Sequence, residues 1–142
     1  MEKETIIQNI KNALGDLYLR EADLITNKTE EETISAHLMY YLKSRFEGWS
    51  VDVEYNRDGR DTKNGSNGKP IYPDISIHHR TPDRVNKFSP KNNLVTIEVK
   101  GYWNKENRSN DEKKLRDRKS IFGYQYLFRI ELGKDTGELI EV

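Results

Sequence analysis

The run LVTIEVK, residues 94–100, constrains this chain more tightly than any other stretch. Val95, Ile97 and Val99 fall on one face of a strand, and Thr96, Glu98 and Lys100 fall on the other. A chain that holds this run must build a sheet. One face of that sheet is apolar enough to pack on helices, and its opposite face carries an acid and an amine close together.

The flanking periodicities supply the rest of the architecture. Ile6, Ile7, Ile10, Leu14 and Leu17 recur at helical spacing and predict a helix up to about Arg20. In TEEETISAHLMYYLKSRF, Thr29 followed by Glu32 is a capping-box pattern, and Ile34, Leu38, Tyr41, Leu42 and Phe46 form one face of a second helix ending near Gly48. From Trp49 the period changes to two, and WSVDVEY reads as a strand. The Gly-, Asn- and Asp-rich NRDGRDTKNGSNGKP predicts a long loop. YPDISIHH is a second strand, TPDRVNKFSPKNN a connection, and LVTIEVK the third strand. NDEKKLRDRKS predicts a charged helix with Leu115 as its clearest apolar contact, and YQYLFRIEL a further, mainly core strand. GKDTG is a turn, and ELIEV a short last strand closing a hairpin. The order α-α-β-β-β-α-β-β predicts an α/β protein of the α+β type.

Composition bounds the function. At 142 residues the chain suits one domain, and with 34% of residues hydrophobic and 34% charged its surface must be very polar. No run approaches a membrane-spanning helix, and MEKETIIQNIKNAL lacks the apolar stretch of a secretory signal. The absence of cysteine removes disulfides, thiolate zinc sites and cysteine nucleophiles, and fits a cytoplasmic protein. GSNG is no phosphate cradle, because no GK[ST] follows it. Although the net charge is zero, residues 57–119 carry 16 Lys or Arg against 9 Asp or Glu. This basic middle, beginning at Arg57, is compatible with a groove for a polyanion.

In PDISIHH, Ile75 and Ile77 take one face while Asp74, Ser76 and His78 take the other. If this strand pairs with LVTIEVK, then Asp74, Glu98 and Lys100 gather at one end of a shared polar face. Two carboxylates suit Mg²⁺, a hard cation that retains several waters and bridges to phosphates. Such an ion neutralises charge growing on a phosphate and activates water, and a nearby ammonium orients the attacking water or stabilises the developing charge. The Val99 carbonyl, between Glu98 and Lys100, could add a metal ligand.

Pro73-Asp74, followed after 23 residues by Glu98-Val99-Lys100, resembles the PD-(D/E)XK nuclease superfamily. The segments ETISAHLMYYL, WSVDVEYNR, YPDISIHHR, NNLVTIEVK and FGYQYLFRIEL are similar to small prokaryotic members. The resemblance implies a restriction-endonuclease-like αβββαβ core over residues 29–132, with a mixed central sheet flanked by helices. Residues 1–28 are then an N-terminal helical extension and residues 133–142 an added C-terminal strand. It implies a Mg²⁺-dependent endonuclease, with Mn²⁺ a substitute, acting on DNA in preference to RNA, in a prokaryotic cytoplasm or a mobile element. Asp74 and Glu98 would hold the metal and Lys100 would assist the water. Glu31 matches the acid such nucleases often carry on the helix before the first strand. The small size leaves room for a homodimer or a partner subunit, and for a rival reading as an inactive nucleic-acid-binding or complex scaffold.

Each candidate has a plainer reading. An isolated Glu98–Lys100 pair could be the solvated face of an edge strand. Glu31 could simply complement the helix dipole in a first turn. Tyr102 and Trp103, beside Lys105 and Arg108, could stack on bases and hold phosphates, or cap the core. KKLRDRK could follow a phosphate backbone, with Lys113 or Lys114 reaching the site, or be merely solvated. His78 reads as a groove or surface residue rather than a ligand, and His79 points to the opposite face.

Overall fold

The computed structural model describes residues 1–53, 74–80 and 91–142. The expected loop around GSNG, the connection after Arg80, Pro73 and the candidate nucleic-acid contact Arg57 lie outside these residues. The described elements are α1 (Lys3–Arg20), α2 (Ala22–Thr26), α3 (Glu31–Lys43), β1 (Ser50–Val53), β2 (Ile75–His78), β3 (Asn93–Gly101), α4 (Arg108–Phe122), β4 (Tyr126–Leu132) and β5 (Gly137–Glu141).

The apolar periods place the helices as expected. Ile6, Ile10, Ala13, Leu14 and Leu17 form the buried stripe of α1, and Ile34, Leu38 and Leu42 that of α3. The two helices pack on each other. Asn9 Nδ2 donates to the Arg45 carbonyl at 2.9 Å, and Arg45 pairs with Asp16 at 2.8 Å, tying the end of α3 to α1.

Three local expectations change. Thr29 and Glu32 do not form a capping box: α3 begins one residue later than that pattern requires, with Glu30 as N-cap and no side-chain cap bond. The Thr29 amide is instead spent on the Leu24 carbonyl, closing the short helix α2 that polar composition concealed. The second long helix ends at Lys43, and the chain turns through Gly48, whose φ of +83° only glycine adopts at little cost.

The strands form one five-stranded mixed sheet in the order β1-β2-β3-β4-β5. β2 is antiparallel to both β1 and β3, β3 and β4 are parallel, and β4 and β5 form an antiparallel hairpin. The parallel step exists because α4 crosses back between β3 and β4, as parallel neighbours require. Asn107 caps α4 through its side chain and Gly123, in the left-handed region, stops it.

Two cores result. Val51, Ile75, Ile77, Val95, Ile97, Val99, Phe128 and Ile130 pack with α1 and α3 on one face of the sheet. Leu115, Phe122, Tyr124 and Leu127 form a smaller cluster under α4 on the other. β3 is thus central, hydrogen-bonded on both edges and buried along its whole length, so the edge-strand reading of Glu98 and Lys100 fails. Ile97 lies fully buried in the larger core at the middle of β3. Ile97→Ala is expected to cost about 2–5 kcal/mol, measured by urea unfolding.

Candidate active site

The site starts from strand register. Ile75 faces Ile97 and Ser76 faces Thr96 across the β2–β3 ladder. Continuing that register by one residue sets Asp74 opposite Glu98. The Val99 amide donates to Asp74 Oδ2 at 2.7 Å, fixing the acid to β3. The two carboxyl groups are themselves in hydrogen-bond contact, which requires a proton between them. Burial, then the Glu98 charge and the bond to Glu98, push the Asp74 carboxyl up to about 9. Glu98 moves the other way: burial disfavours its charge, but the Arg118 guanidinium and the Asp74 proton outweigh that and hold it below the usual range.

Arg118 is the side chain that makes this possible. It is 1% exposed, and its Nη1 donates to Thr96 Oγ1 at 3.1 Å while Nη2 binds Glu98 Oε1. The charge-rich α4 is therefore not merely solvated. Asp111, Leu115, Arg118 and Phe122 form one buried face, and two of the four are ionisable. That spacing was present in the sequence as a helical stripe, hidden because its members are not all apolar.

Lys100 is 9% exposed and points to the same covered face. Its ammonium lies 3.1 Å from Glu106 Oε2 and 3.6 Å from Asp111 Oδ1. Burial works against its charge, yet the Glu106 bond and the Asp111 and Glu31 charges raise its pKa above the ordinary lysine value. Lys100 is consequently a fixed cation rather than a base. Burial raises the carboxyl of Asp111 despite Lys100, and its Oδ2 is the one buried carboxylate oxygen lacking a hydrogen-bond partner among the described residues.

Glu31 stands at the C-terminal end of the motif strand, just beyond Lys100. It accepts from the Gly101 amide at 2.6 Å and from Asn104 Nδ2 at 2.9 Å, binding the start of α3 to the end of β3. Its charge reaches Lys100. It does not stand in one cluster with Asp74 and Glu98: no group of three or more His, Cys, Asp or Glu able to hold one metal occurs among the described residues. Its placement also exceeds plain dipole complementarity, since both oxygens are committed to specific donors.

The expected nucleic-acid contacts divide. Tyr102 and Trp103 are half-buried against the larger core and meet edge to face at 5.2 Å. The Trp103 ring lies so close over Gly101 that a Cβ there would fall 2.5 Å from it. Both rings therefore cap the edge of the core and keep part of their surface open. Lys105, Lys113 and Lys114 are exposed. Of the two α4 lysines, Lys114 is the one whose charge acts on Glu98, Asp111 and Glu106. His78 is neither a groove nor a surface residue. It is buried, with Nε2 at 2.8 Å from Asp52 Oδ2, and Arg80 binds the same carboxylate. His79 stacks on Trp49 at 3.9 Å.

The donor set fits Mg²⁺ chemically. It offers two adjoining carboxyls, hard oxygen donors, and so few protein ligands that the ion would keep several waters. Two buried acids forced to share a proton are also the arrangement a divalent cation relieves.

Breaking the Arg118–Glu98 pair leaves a buried carboxylate uncompensated. Arg118→Ala is expected to destabilise the fold by about 3–5 kcal/mol, while Arg118→Met with Glu98→Gln recovers much of the loss, as urea unfolding would show. Compared with protein-family models, curated proteins and solved structures, the chain matches none.

Proposed function

We propose that this chain is a Mg²⁺-dependent nuclease of the PD-(D/E)XK type that hydrolyses phosphodiester bonds, of DNA in preference to RNA. The observation carrying the reading is the meeting of Asp74 and Glu98 across the β2–β3 ladder, on the face that also carries Lys100. The run α3-β1-β2-β3-α4-β4, with its parallel β3–β4 step, supports the same reading, because it is the order the resemblance implies.

Asp74 and Glu98 would hold the cation, and the Val99 carbonyl could complete the protein's share. When bound, Mg²⁺ supplies charge neutralisation at the scissile phosphate and lowers the pKa of water. The chain's own residues do the rest. The Val99 amide orients Asp74, and Arg118 with Thr96 orients Glu98. Lys100, kept charged, would donate to the attacking water or to a phosphate oxygen as negative charge develops. It would not take a proton from that water. Glu31 would act as a positioning residue, through the Gly101 amide that follows Lys100. Exposed Lys105, Lys113 and Lys114 offer charge for the nucleic-acid backbone.

A second reading has a specific observation behind it. Glu98 and Lys100 already have partners in Arg118, Glu106 and Asp111, as in a scaffold whose buried charges serve stability. The two separate cleanly. Purified protein is incubated with supercoiled, linear and single-stranded DNA and with RNA, in Mg²⁺, Mn²⁺ or chelator, beside a folded Lys100→Ala variant. The nuclease reading predicts cation-dependent cleavage that Lys100→Ala lowers by about 10²–10³-fold. No cleavage of any substrate, with DNA binding retained, establishes the scaffold.

A further inference from the structure

The oxygens of the acid pair are unequally committed. Asp74 gives Oδ2 to the Val99 amide, and Glu98 gives Oε1 to Arg118. What remains is one oxygen from each acid without a donor from backbone or arginine. The two carboxyls also meet each other in a hydrogen bond, and a cation held between them would take the place of the proton they share.

A guanidinium holds the position beside Glu98 Oε1, which any second ion on that oxygen would have to take. Arginine does not deprotonate in a protein, and this one cannot swing aside easily. It is sealed at 1% exposure, pinned to Thr96 Oγ1 at 3.1 Å, and packed on the helix face that includes Leu115 and Phe122. Lys100 adds another cation on the same face, already balanced by Asp111 and Glu106. Of the other acids among the described residues, Glu31 is bound to Gly101 and Asn104, while Asp111 faces Lys100 at 3.6 Å through Oδ1 and keeps Oδ2 without a partner.

We propose that the site takes a single divalent cation, held between Asp74 and Glu98, and that Arg118 is a built-in protein cation standing where a second ion would contact Glu98. This rests on the metal-dependent reading above. Arg118 is a positioning residue here: it acts through Glu98 and fixes both the orientation of that acid and the charge the site can still accept.

The test counts ions directly and needs no cleavage. Mn²⁺ bound to the full chain is measured by electron paramagnetic resonance of the free ion across a titration, with Asp74→Asn as the control that marks ions held elsewhere. The proposal predicts one Mn²⁺ per chain lost in Asp74→Asn. Two ions lost would overturn it and leave the metal-dependent reading standing. No ion lost would overturn that reading as well. Arg118→Met then probes the arginine itself. A folded variant that gains a second ion, or binds the first about tenfold or more tightly, supports its role as a resident cation. A folded variant with unchanged count and affinity overturns that role. If Arg118→Met does not fold, the wild-type count alone decides between one ion and two.

Discussion

A carboxylate cannot be sealed between a sheet and a helix without a partner, and the architecture around Glu98 follows from that constraint. Glu98 is 3% exposed at the centre of the sheet, where an unpaired charge would cost several kcal/mol. Arg118 answers it from α4, and Asp74 answers it from β2 by keeping a proton. α4 must therefore lie across this face, and β2 must pair with β3 in the register observed. If either contact shifted, the buried charge would lose its compensation.

The two faces of the sheet thus do different work. On one, aliphatic side chains of β1 to β4 meet α1 and α3 in a dry core. On the other, a small apolar cluster around Leu115 and Phe122 borders a layer of paired charges. That layer continues outward, where Arg108 binds Glu131, and Arg129 binds both Glu131 and Glu112. Stability comes mainly from the first face. The second holds fixed charges in a buried layer, where they interact more strongly than they would in water. The fold supplies rigidity there at the expense of burying groups that hydrophobic residues could have replaced.

Much of this was legible in the sequence. Strict alternation in LVTIEVK and DISIH assigned Glu98, Lys100 and Asp74 to one face, and the β2–β3 pairing then brought the acids together. The helical stripes of α1 and α3 were equally clear because every member but Ser35 is apolar. What escaped is instructive. Asp111 and Arg118 look like solvated charges, since a pattern of charges along a helix does not reveal which of them the tertiary fold will pair and bury. The capping box failed because competition for the Thr29 amide from Leu24 is a contact between neighbouring turns that no local pattern encodes. Tyr102 and Trp103 were ambiguous for a related reason: aromatic rings suit both a core edge and a base, and the room Gly101 leaves for the Trp103 ring is invisible to a local pattern.

The adjoining acids are the centre of this account, and their shared proton is directly observable. In chelator, the side-chain carboxyl ¹³C shifts of Asp74 and Glu98 can be followed through a pH titration. The structure predicts that Asp74 keeps its proton far above the ordinary 3.8, losing it near 9, while Glu98 is ionised well below its usual range. Because the groups are coupled, the pair would show one low and one high transition. Two ordinary transitions, both near 4, would mean that the acids do not meet, and would contradict the site.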